Sequence, residues 1–314
     1  MLIDNSRDVA EQIDYSAVDF PIEHRPVASK LALGTDRYEL LEIPPEMGSC
    51  IWRVDPDRPP LPLAIVGSRY KPVTHRDAFA GAVDSLVKAG VDLSDSNCQI
   101  NAYENGAMAE MSITMPSHSA TVGGHTLSLK YTARNSYNAL WRYQAFFGYF
   151  NWFCYNTLVS GQKAAYTASR HTKNFSVSAS HAKTAAAAKA ISSEPELFQR
   201  WLNTPVSDRE VSSLFAHTLA KSPTEAGVNK KQLENLNALF DTEVQNIHGK
   251  GDYGRKGATG SLWCIFQAAT AWATHLRDVT PKGSRHRIQA RRQDAVRQLV
   301  SSQHWANIDA RAIQ

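Results

Sequence analysis

Apolar residues recur at strand spacing in some stretches of the chain and at helical spacing in others, and the changes between them are abrupt. Residues 63–70 form a short apolar run that reads as a buried strand. Thr74-His75-Arg76-Asp77 then has the form of a helix-capping sequence. Phe79, Val83, Leu86 and Val87 follow at intervals of one to four residues, and Gly90 supplies a stop, so a helix is predicted between them. Residues 98–103 and 107–115 read as strands separated by Glu104-Asn105-Gly106, and Asn-Gly between two such runs predicts a hairpin. In residues 125–133, Leu127, Leu129 and Tyr131 alternate with Thr126, Ser128, Lys130 and Thr132, so one face meets a core and the other meets solvent or a ligand. Residues 140–155, rich in aromatics, read as a further strand bent near Gly148.

From about Ser176 the pattern turns helical. An Ala-rich stretch (residues 185–188) precedes Ser207-Asp208-Arg209-Glu210, a capping box that opens a helix through Leu219. Leu233, Leu236, Phe240, Val244 and Ile247 make one helical stripe. Leu262, Ile265, Phe266, Ala269, Trp272, Ala273 and Leu276 make another. Upstream, Pro44, Pro45, Pro56, Pro59, Pro60 and Pro62 predict an irregular lead-in. The expected class is α+β: an antiparallel β-meander with helices packed on one face, and a helical C-terminal half. The expected organisation is an acidic, Pro-rich segment (1–60), an α+β core with a basic, aromatic-rich surface (61–193) and a helical region with a basic tail (194–314).

Charge sharpens this picture. The 314 residues carry a formal net charge of only +4, which excludes a histone-like polycation. The charge is segregated, however. Residues 1–60, 61–193, 194–249 and 250–314 carry net −6, +6, −3 and +7. Between Glu110 and Glu194 lie 83 residues with eight Lys or Arg, four His, 13 of the 29 aromatics and no carboxylate. At a roughly 10% acid frequency, a given stretch of that length lacks acids on the order of once in several thousand trials.

Cys50, Cys98, Cys154 and Cys264 have no C-x-x-C spacing and no histidines in ligand register, which argues against a disulfide scaffold or a zinc knuckle and for a reducing compartment. The acidic, polar start lacks the features of a secretory signal, and no run reaches the roughly 18 to 20 apolar residues of a membrane span. A soluble, cytoplasmic protein with no membrane partner is expected. No G-x-S-x-G, H-E-x-x-H or P-loop is present, and no cofactor is expected. Asp92, Asp95, Glu104 and Glu110 are the carboxylates a metal-dependent nuclease would draw on, but nothing in the sequence places them together. The G-x-G-x-x-G starting at Gly249 has no strand before it, so it reads as a basic loop rather than a dinucleotide fingerprint.

Cationic side chains neutralise phosphates, and aromatic faces stack unpaired bases regardless of their identity. Lys130, Arg134, Arg142, Lys163, Arg170, His171, Thr172, Lys173 and Lys183 are therefore the candidate nucleic-acid contacts of the acid-free window, with Tyr131, Trp141 and Tyr143 as candidate stacking residues. The competing reading of each aromatic is simple core. Arg170-His171-Thr172-Lys173 is a compact donor cluster suited to a phosphate, or equally to capping a helix. In the tail, Arg285, Arg287, Arg291 and Arg292 mark a basic helix or arm.

Five short motifs carry a resemblance: Gly67-Ser68-Arg69-Tyr70-Lys71-Pro72-Val73, Cys154-Tyr155-Asn156-Thr157-Leu158, Arg170-His171-Thr172, Ser261-Leu262-Trp263 and Thr274-His275-Leu276-Arg277. In this order they resemble the phage- and plasmid-borne domain-of-unknown-function family numbered nine-three-two, over roughly residues 35 to 305. The resemblance implies a mobile-element setting and brings no catalytic residue. A weaker, purely topological resemblance is to phage single-strand annealing recombinases, which bind single-stranded DNA without ATP and oligomerise. Together these features predict a non-catalytic single-stranded DNA-binding protein that self-associates and anneals strands in recombination. An enzyme acting on nucleic acid and a partner-binding host-defence antagonist are the rival readings.

Overall fold

The structure is a computed structural model that describes residues 12–32, 38–42, 44, 46–152, 156–159, 166–172, 176, 187, 194–220, 228–249, 260–275 and 284–313. The chain divides into two compact units that are discontinuous in sequence. Unit 1 comprises Met1–Met115, Tyr131–Phe146 and Tyr166–Ala188, and unit 2 comprises Pro116–Lys130, Phe147–Ala165 and Lys189–Gln314. The fold is α+β with antiparallel sheets and a helical C-terminal half, as the periodicities predict.

The lead-in is not irregular. Strands β1 (Ile22–Arg25), β4 (Ser49–Arg53) and β5 (Leu61–Val66) form an antiparallel sheet in the order β1-β4-β5, and β2 (Ala28–Ala32) pairs with β3 (Tyr38–Glu42). Prolines mislead here because of where they lie. Pro56, Pro59 and Pro60 lie in the β4–β5 connection, while Pro62 sits in an edge strand beside a register shift at Ile51/Trp52, where a missing N–H is tolerated. Phe20, Ile51, Val66 and Tyr137 form the core of this part of unit 1.

Helix α1 (His75–Lys88) begins where the cap predicts, with Thr74 Oγ1 accepting from the Asp77 N–H at 3.0 Å, and it buries Ala78, Phe79, Ala82, Val83 and Leu86. The meander follows: β6 (Asn97–Tyr103), β7 (Met108–Val122), β8 (His125–Ser136), β9 (Tyr143–Asn151) and β10 (Thr157–Val159) are successive neighbours in one sheet, and β11 (Tyr166–Ser169) also pairs with β9. The Asn-Gly hairpin is present, closed by a 3-10 turn at Glu104–Gly106. Gly106 has φ +93°, and a Cβ there would lie 2.5 Å from Phe20 Cζ, so no other residue fits the turn.

In β8 the polar face differs from expectation. Ser128 is 1% exposed and Thr132 3%, because both faces of the strand are covered; Ser128 lies beneath Trp152, whose Nε1–H donates to its Oγ at 2.7 Å. Within unit 2, α2 (Glu194–Asn203), α3 (Asp208–Thr218), α4 (Lys230–His248), α5 (Leu262–His275), α6 (Arg285–Val300) and α7 (Gln303–Asp309) follow, with the short pair β12 (Pro205–Val206) and β13 (Gly260–Ser261). Every residue of α5 from Leu262 to Ala273 is buried, which makes it the central helix. It packs on α2, α4, α6 and β10, and Phe198, Trp201, Trp263, Phe266 and Trp305 form an aromatic cluster there. No helix among the described residues is long and apolar enough to cross a membrane.

Candidate functional site

Unit 1 contains a cleft of about 970 Å³ that draws arginines from three separate segments. Its first wall is the turn after β5, in which the Tyr70 N–H donates to the Gly67 carbonyl at 2.9 Å. This turn is tied to the 170–172 segment: Tyr70 and Thr172 form an antiparallel bridge, and the Lys71 N–H donates to the His171 carbonyl at 3.1 Å. The Tyr70 hydroxyl donates to the Ser136 carbonyl at 2.6 Å. Ser136 Oγ in turn donates to the Trp141 carbonyl at 2.9 Å and accepts from the Trp141 N–H at 3.2 Å, which anchors the turn carrying Arg142. Arg69, Arg142 and Arg170 therefore reach the cleft from backbone fixed by hydrogen bonds.

The electrostatics of the cleft are one-sided. Arg69, Arg142 and Arg170 are exposed, and among the described residues none of them pairs with a carboxylate. Arg25, Arg53, Arg76, Arg134, Arg200, Arg297 and Arg311 all do. Among the described residues no acidic side chain lines the cleft, and Ser68 and Thr172 add hydroxyls. His171 is 5% exposed, its ring 5.3 Å from that of Tyr70, and burial pushes its pKa down to about 4, so it is a neutral wall at pH 7. Burial likewise raises the Tyr70 hydroxyl. Guanidinium forks beside hydroxyls in a recess without carboxylates suit phosphate oxygens.

The candidate residues named from sequence separate clearly. Trp141, Arg142, Arg170, His171 and Thr172 come together in the cleft. Arg134 does not face solvent: it is 2% exposed, pairs with Glu110 at 2.6 Å, and lies over the rings of Trp141 and Phe146. Tyr131 and Tyr143 are fully buried, so the stacking role expected of them is corrected to core, and Trp141 is itself 6% exposed. Arg292 is also buried, stacked 4.4 Å from the Trp272 ring centroid and donating to the Trp272 carbonyl at 2.8 Å. Arg285 and Arg291 are exposed on α6, Arg287 is half-buried there, and Lys130 is half-buried on β8. Lys163, Lys173, Lys183 and most of the glycine-rich loop after Gly249 lie outside the described residues. Among the described residues no three His, Cys, Asp or Glu side chains come together as a metal site. Glu110 is held by Arg134, Glu104 accepts from Asn138, and Asp92 accepts from Ser94.

Arg69 and Tyr70 escaped the charge reading because they precede the acid-free window. The signal that marks them is the Gly67–Val73 motif, which meets Arg170-His171-Thr172 across the cleft. Two other motif segments meet within unit 2, where His275 Nε2 lies 2.8 Å from Asn156 Oδ1 and the Thr157 N–H donates to Thr274 Oγ1 at 3.2 Å. A family model described as Domain of unknown function (DUF932) matches residues 62–301. The chain belongs to the DUF932 family. The DUF932 match spans the cleft and both motif pairs, and excludes only Met47 of the cleft lining. The chain matches no curated protein and no solved structure.

Proposed function

We propose that this DUF932 protein binds single-stranded DNA, gripping backbone phosphates in the Arg69–Arg142–Arg170 cleft, and serves ATP-independent strand annealing in a phage or plasmid. The observation that carries the reading is the set of three exposed arginines that, among the described residues, have no carboxylate partner and share a recess with no acid in its lining. Unneutralised guanidiniums repel one another, and an anion relieves that repulsion while forming bidentate bonds. A recess of about 970 Å³ accommodates a nucleotide or two, whereas a duplex presents its phosphates on a convex, stiff surface that does not enter it. Bases are read without sequence preference, since the cleft offers donors for phosphate rather than a set of base-edge contacts. DNA rather than RNA is part of the proposal, and it rests on the mobile-element setting that the family resemblance implies.

The test is a titration of fluorescent oligo(dT) and of the matching duplex at low salt. Wild type is expected to bind the single strand more tightly. Arg142→Gln with Arg170→Gln should weaken binding at least tenfold with the melting temperature unchanged, because both side chains are exposed. No binding by wild type at low salt, or equal binding by the double variant, contradicts the reading. A free nucleotide is the second occupant the volume admits; displacement of oligo(dT) by equimolar mononucleotide would favour it.

A further inference from the structure

Unit 2 carries an aromatic surface that the cleft does not use. Trp152, immediately after β9, is 45% exposed, whereas Trp201, Trp263, Trp272 and Trp305 are each 6% exposed or less. Its position is fixed at two points: the backbone N–H donates to the Thr126 carbonyl at 3.2 Å, and the indole Nε1–H donates to Ser128 Oγ at 2.7 Å. With its polar atom satisfied inside the protein, the indole offers solvent only its ring. Phe150 stands two residues earlier, its ring centroid 4.9 Å away at 86°, and Lys130 Nζ lies 5.6 Å from the centre of the Phe150 ring. A fixed aromatic corner thus stands beside an ammonium.

We infer that Trp152, Phe150 and Lys130 form a nucleobase-stacking platform, with an unpaired base on the indole and its phosphate near the Lys130 ammonium. The inference rests on the single-stranded reading above and names a second contact for it. Three considerations favour a base over an apolar protein partner. Lysine is depleted from the buried centres of protein interfaces, while an ammonium next to a stacked base finds a phosphate. A base has a flat face of its own to cover the ring. The two hydrogen bonds hold the indole in place before binding, so little side-chain freedom is lost when a base arrives.

Oligo(dT) titrated into wild-type protein should quench tryptophan fluorescence and shield it from iodide, since Trp152 is the well-exposed indole among the described residues. Trp152→Ala should weaken oligo(dT) binding about tenfold, equivalent to about 1.4 kcal/mol, while Trp152→Phe, which keeps a ring, should lose less than about threefold. Unchanged affinity in Trp152→Ala together with no iodide protection in wild type overturns the platform. If Trp152→Ala does not fold, the wild-type protection decides alone. Loss of affinity on the arginine substitutions but not at Trp152 leaves the cleft reading standing and removes the platform, whereas no wild-type binding removes both. A change in oligomer size with Trp152→Ala, at unchanged DNA affinity, assigns the surface to a second copy instead and also overturns the inference.

Discussion

Two buried histidines in unit 1 make the stability of the fold depend on pH. His75 Nε2–H donates to the Gly106 carbonyl at 2.9 Å, while Nδ1 accepts from Asn135 Nδ2 at 3.0 Å, a pairing that only the neutral ring satisfies. Burial pushes the pKa of His75 down to about 4, and that of His171 to about 4. In the unfolded chain both take up protons near pH 6.5, so on acidification the unfolded state gains protons first. Stability is full above about pH 6.5 and falls as the pH drops toward 4, by roughly 3 kcal/mol for each ring at the limit. Urea midpoints measured from pH 7.5 to 4.5 should therefore decline steadily below 6.5, and a flat profile would contradict the neutral buried assignment. Residue identity alone did not separate Arg134 from Arg142, which lie in the same acid-free window. Arg134 is paired with Glu110, the last acid before that window and 24 residues away in sequence. Only strand pairing reveals that such a charge is satisfied, so the charge pattern marked a region and left open which arginines reach solvent.

Among the elements, local signals were legible wherever they were sufficient. The Thr74 cap, the Asn-Gly hairpin and the helices α4 and α5 appear where spacing places them, because each is fixed by chemistry within one or two turns. The stripes themselves differ: α5 is buried on every side from Leu262 to Ala273 rather than along one stripe, and α4 buries only Leu236 and Phe240 of its expected stripe. The strands of residues 22–53 were not legible, since Pro56, Pro59 and Pro60 lie in a connection and Pro62 in an edge strand, while β5 was read as a strand though not as an edge. The buried polar side of β8 was hidden for a different reason: Ser128 is covered by a residue 24 positions later. The motif segments make the converse case, for their meaning emerges only when they meet, Gly67–Val73 with Arg170–Thr172 in unit 1 and Asn156–Thr157 with Thr274–His275 in unit 2. Close packing between α4 and β13 supplies a prediction at this scale. A Cβ on Gly260 would lie 2.6 Å from Phe240 Cζ and 2.7 Å from Val244 Cγ2. Gly260→Ala should cost about 1–3 kcal/mol of stability as the helix is pushed outward, read as a lower urea midpoint. An unchanged midpoint would show that this contact yields without cost.

For the molecule as a whole, the near-neutral total charge conceals an arrangement in which, among the described residues, Arg25, Arg53, Arg76, Arg134, Arg200, Arg297 and Arg311 are matched to carboxylates and the three arginines at the cleft are not. That contrast is the physical basis for assigning the cleft to a polyanion, and it makes a quantitative demand on binding. Each arginine that contacts a phosphate of a single strand releases condensed counterions and contributes about 0.7 to the slope of log affinity against log salt. The decisive measurement is this slope for oligo(dT) with wild type and with the Arg69→Gln, Arg142→Gln, Arg170→Gln triple variant. The wild-type slope should be steeper by about 2, from three phosphate contacts at about 0.7 each. Equal slopes and equal affinities in the two proteins would contradict phosphate binding in the cleft.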